Sequence, residues 1–118
     1  MATDPEFVAY ACELFSGLGP IRRGRLFGGT ALYVDDAMFA MISGDAIWMK
    51  SDPDLRPDYE AAGSVPFSYG TKSGEKVITG LMRLPDAALD DPDEALEWAQ
   101  RSLVPARVAA KKRARKAR

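Results

Sequence analysis

Apolar positions along the chain fall into two textures. Phe7, Tyr10, Ala11, Leu14, Phe15 and Leu18 recur at helical spacing and predict an opening helix with one buried face. Thr3 with Glu6 fits a capping box, Pro5 suits the first turn, and Gly19-Pro20 stops the helix. From Ile21 to Lys50 the pattern shortens to β-rich runs: Ile21–Phe27, Thr30–Val34, Met38–Ile42 and Ala46–Lys50. Gly28-Gly29, Asp35-Asp36 and Ser43-Gly44-Asp45 connect them. Links this short cannot hold crossover helices, so the strands should pair antiparallel.

Asp52-Pro53 then reads as an N-cap and first helical position, with a short helix to about Ala62 and Gly63. Pro57 inside it means either a start near Pro57 or two turns around a break. Pro66–Gly70 and Lys76–Leu84 are two further strands around a polar turn, and Pro85 ends the second. Asp90, Asp91, Asp93 and Glu94 supply the negative charge that favours a helix start. Ala95, Leu96, Trp98, Ala99 and Leu103 follow at helical spacing, and this last helix is expected to end near Pro105. Val108–Arg118 has no apolar face beyond Val108, so it is either a frayed helical extension or a disordered tail. The sum is an α+β fold: a two-layer antiparallel sheet of about six strands with flanking helices. Residues 1–104 form the domain and residues 105–118 a basic tail.

Length and composition narrow the classes. The chain has 118 residues, 47% of them hydrophobic, enough for one domain with a real core. No apolar run reaches the roughly 20 residues of a membrane-spanning helix. The acidic start Asp4-Pro5-Glu6 is unlike a secretion signal, and the single cysteine, Cys12, cannot close an internal disulfide, so a cytoplasmic protein is expected. Cys12 reads as a small buried hydrophobe. There is no histidine, which excludes His-based triads, proton shuttles and His-ligated zinc. Neither a metal nor a cofactor is expected. Asp35, Asp36 and Asp45 are explained by turn chemistry and Lys50 by a solvated strand end.

The net charge of −1 conceals a split. Residues 1–100 hold 8 Lys+Arg against 17 Asp+Glu, hence −9; residues 101–118 hold 8 Lys+Arg and no acid, hence +8. An acidic body carrying Arg107, Lys111, Lys112, Arg113, Arg115, Lys116 and Arg118 suggests an interaction tail with nucleic acid as the first candidate. The alternatives are a solubilising tail and one that folds back on the body. Arg22, Arg23 and Arg25 beside Gly28-Gly29 form a second candidate for phosphate contact. Against it stands a hairpin turn that needs glycine, with Phe27 in the core, and this reading is preferred. By strand alternation Arg23 and Arg25 point together and Arg22 the other way, unless Gly24 marks a bulge. Phe39 and Phe67 are expected in the core, Tyr33 and Tyr69 at its rim.

Arg25-Leu26-Phe27-Gly28-Gly29 resembles the Arg-Met-Phe-Gly-Gly signature of the TfoX N-terminal domain family, named for a bacterial competence regulator. Leu32-Tyr33 before Asp35-Asp36, Met38-Phe39-Ala40, Ile47-Trp48-Met49-Lys50, Pro66-Phe67-Ser68-Tyr69, Leu84-Pro85 and Glu97-Trp98-Ala99 resemble later blocks of the family in the same order. The resemblance spans roughly residues 5 to 104 and implies a helix-flanked antiparallel sheet in a stand-alone domain. It implies a non-enzymatic regulatory role through a protein partner or self-association, in transcription or competence, to which the tail would add weak nonspecific nucleic-acid affinity. A pure interaction or homodimerisation module is the alternative. A further one is a small-ligand domain with a pocket between sheet and helices lined by Tyr33, Trp48 and Tyr69.

Overall fold

In the computed structural model, which describes residues 4–26 and 28–116, Asp4 opens the first helix. Its side chain accepts the Glu6 N–H at 2.9 Å, and Pro5 occupies the first turn of α1 (Pro5–Leu14). Asp4, not Thr3, is therefore the cap; Thr3 lies outside the described residues. The helix is shorter than its apolar spacing suggested. It ends at Leu14, and Ser16–Leu18 form a 3₁₀ turn before Gly19, whose φ of 127° suits only glycine. Two glycines in three residues disfavour a further helical turn. Gly17 has a second role: a Cβ there would stand 3.1 Å from Leu96, so its absence lets the last helix approach.

Six strands follow: β1 (Arg22–Leu26), β2 (Gly29–Val34), β3 (Ala37–Ser43), β4 (Ala46–Lys50), β5 (Pro66–Thr71) and β6 (Gly74–Arg83). They pair antiparallel throughout, in the order β1-β2-β3-β4-β6-β5. A bulge sets Leu32 against Ala40 and Tyr33 against Met38, so Phe39 is an extra residue in β3. That lets Phe39 and its neighbour Ala40 both join the helix-side core.

Between β4 and β5 the chain makes a turn in which Asp52 Oδ1 accepts the Leu55 N–H at 2.8 Å. α2 (Arg56–Ala61) begins only there, with Pro57 in its first turn, and Gly63 closes it at φ 87°. The start near Pro57 is the one realised, and Asp52 caps a preceding turn.

The last helix departs most from its expected form. α3 (Pro92–Lys116) runs straight through Pro105. Proline removes the hydrogen bond that residue 105 would donate to the Arg101 carbonyl. Burial offsets that loss. Ala95, Ala99, Leu103, Ala106 and Ala110 all pack into one core with Leu32, Phe39, Ile42, Ile47, Met49 and Met82 of the sheet. Phe15 meets Phe39 edge to face at 5.3 Å within it. Tyr59 is fully buried against α3: its ring stacks on Trp98 at 4.3 Å and its hydroxyl lies 2.5 Å from Ser102 Oγ. The opposite face of the sheet carries a smaller cluster of Met41, Phe67 and Leu81, flanked by Leu26, Met38, Trp48, Tyr69 and Ile78.

Candidate functional site

The segment expected as a tail is the exposed end of α3. Ala106 and Ala110 face the sheet, while Arg107, Lys111, Lys112, Arg113, Arg115 and Lys116 are exposed. Helical spacing sets Arg107, Lys111 and Arg115 in one line and Lys112 with Lys116 in a neighbouring one. Two cations reach back to the body at the β2–β3 turn. Arg107 lies 3.6 Å from the Asp35 carboxylate, and Arg113 donates to the Asp36 carbonyl at 3.0 Å. Asp35 itself has φ 56°, a left-handed conformation that aspartate tolerates in turns. Lys111, Lys112, Arg115 and Lys116 have no ion-pair partner among the described residues. Arg118 lies outside the described residues.

Like charges at i,i+4 oppose the helix by about 0.2–0.5 kcal/mol per pair, while the helix dipole favours cations at this end. An anionic partner would relieve the first effect and leave the second intact. Lys50 belongs to the same surface. It ends β4, is half-buried, and borders a groove of about 210 Å³ lined also by Asp52, Pro105, Val108, Ala109 and Lys112. Burial, and then the Arg113 charge, lower its pKa below the usual lysine value. The solvated strand end expected for Lys50 is thus corrected: α3 covers it, because the helix does not stop at Pro105.

Arg22, Arg23 and Arg25 occupy the edge strand β1, far along the sheet from this groove. The β1–β2 register runs without a shift at Gly24, so Arg23 and Arg25 share one face and Arg22 the other. Arg22 stacks on Tyr33, its guanidinium carbon 4.2 Å from the ring centroid. Gly28 and Gly29 are used by the fold. Gly28 turns at φ 76°, and a Cβ on Gly29 would collide with the Ile42 carbonyl of β3. Phe27 lies outside the described residues.

Phe39 is in the main core. Phe67 meets Trp48 edge to face at 5.1 Å, and Tyr69 packs beside Phe67 at 6.1 Å, in the smaller cluster. Tyr33 pairs with Met38 of that cluster. The pocket proposed for Tyr33, Trp48 and Tyr69 between sheet and helices therefore does not form: alternation and the bulge set all three on the face away from α3. Pro85 lies two residues past the end of β6 at Arg83 and precedes a 3₁₀ turn, Asp86–Ala88. Trp98 stacks on Tyr59 and carries the Arg101 guanidinium over its ring at 4.9 Å, while Arg101 pairs with Asp58. Cys12 is half-buried against the core. No helix of the described residues is long and apolar enough to cross a membrane.

A helical extension and a fold back onto the body were among the alternatives for this segment, and the structure realises both; the part of Lys50 in the contact was not foreseen. The signal for the docking was present as alanines at 95, 99, 106 and 110, spaced to one helical face across Pro105.

Comparison with curated proteins returns no match. The model of the TfoX N-terminal domain family matches residues 13–106, from within α1 to the buried turn of α3. That span holds all six strands, α2 and α3 as far as Ala106, so the chain belongs to the TfoX N-terminal domain family.

Proposed function

We propose that this chain is a non-enzymatic regulatory domain that acts through protein contacts, in transcription or competence. The exposed end of α3 adds weak, sequence-independent affinity for nucleic acid. One observation carries the nucleic-acid part: four exposed cations, Lys111, Lys112, Arg115 and Lys116, stand on a helix held by Ala106 and Ala110 and make no ion pair among the described residues. Phosphate contact by such a face would be electrostatic and would carry no base information. Family membership supports the regulatory part. An electrophoretic shift assay with duplex DNA and single-stranded RNA at low salt tests the first part. Absence of any shift would remove nucleic acid from the reading and leave protein contacts alone.

A further inference from the structure

We infer that the outer edge of β1 is a docking strand for an extended acidic segment of a partner protein, added to the sheet as a seventh strand. β1 stands at the end of the sheet and pairs only with β2. Among the described residues no backbone hydrogen bond reaches its outer side, so alternate N–H and C=O groups stand open to a strand partner. Arg22, Arg23 and Arg25 are all exposed on this five-residue strand. Arg23 and Arg25 share a face and make no ion pair among the described residues. On that face a groove of about 360 Å³ runs between β1 and the start of α1, lined by Pro5, Val8, Arg23, Gly24, Arg25 and Thr30.

Charge selects the occupant. A second copy of β1 paired antiparallel about Gly24 would set Arg23 against Arg25, and like charges directly opposite oppose pairing. The other edge strand, β5, carries no acid to complement the arginines, and Pro66 with its register shift blunts it. The matching partner alternates acidic and apolar residues. Its acids meet Arg23 and Arg25 on the groove face. The apolar residue between them falls opposite Gly24 on the far face, beside Leu26 and the Tyr33 ring, which lies 2.9 Å from where a Gly24 Cβ would be. Arg22, already stacked on Tyr33, flanks that residue.

This inference rests on the reading that the chain works through protein contacts. Its test uses the full chain, isotope-labelled, and a short synthetic peptide centred on Glu-Val-Glu-Val-Glu at low salt. Binding should slow amide exchange within residues 22–26. R23E/R25E should weaken affinity by roughly tenfold or more and should bind the Lys-Val-Lys-Val-Lys peptide instead. R23Q/R25Q, which adds no new charge, should show the loss without the switch. Perturbations confined to α3 would overturn the proposal. So would unchanged affinity in both variants, or equal binding of a peptide with proline at the alternate positions. A chain that captures protein partners equally well with R23E/R25E loses only the β1 edge; one that captures none loses the protein-contact reading itself.

Discussion

Tyr59 and Ser102 form a buried polar pair whose hydroxyls satisfy one another. Tyr59→Phe should leave Ser102 without a partner and cost about 1–3 kcal/mol by thermal or urea unfolding, whereas Tyr59→Phe with Ser102→Ala should recover most of that loss. Burial also raises the Tyr59 pKa well above the ordinary phenol value. The folded state therefore holds this proton more tightly than the unfolded chain. The stabilisation is complete below about pH 10, the unfolded value, and is lost as pH rises toward the folded one. Stability measured above pH 10 should fall less steeply in the phenylalanine variant. The two adjacent glycines separate in the same way. Gly29→Ala meets the Ile42 carbonyl and should destabilise by several kcal/mol, about 3 or more, while Gly28→Ala faces open space and should cost only about 1 kcal/mol of left-handed strain. Equal effects in the two variants would contradict the hairpin account. At this scale the sequence was legible where one residue type has one use, as at Gly28-Gly29. Tyr59 was not legible, since its partner is 43 positions away.

Strands read well because their turns are short and explicit. β2, β3 and β4 lie within a residue of their expected limits, and the antiparallel order follows from connections too short for anything else. Insertion of β6 between β4 and β5 was not readable, because pairing across the α2 connection leaves no local mark. The end of α3 was misread for a physical reason. Pro105 and a charge run are both stop signals, yet small residues at 106 and 110 keep the backbone close enough to the sheet for packing to override them. Deleting residues 105–118 should therefore cost roughly 2–4 kcal/mol and lower Tm, because Ala106 and Ala110 leave the core. A deletion variant that melts with the intact chain would show that the segment is only a tail.

At the scale of the molecule, the acidic body and basic end form one folded unit. Arg107 and Arg113 tie the end of α3 to the Asp35-Asp36 turn, which leaves the other cations to face outward. Deletion thus confounds charge with stability, and neutralising the exposed cations is the cleaner comparison. The decisive measurement is duplex-DNA affinity from about 20 to 300 mM salt for the intact chain and for K111Q/K112Q/R115Q/K116Q. Each cation engaged contributes a slope of about −0.9 in log affinity against log salt. The expected slope is about −3 to −4 for the intact chain, from four such contacts, and near zero for the variant, which should keep its fold. Equal slopes for the two chains, or an intact chain with no affinity at the lowest salt, would contradict it.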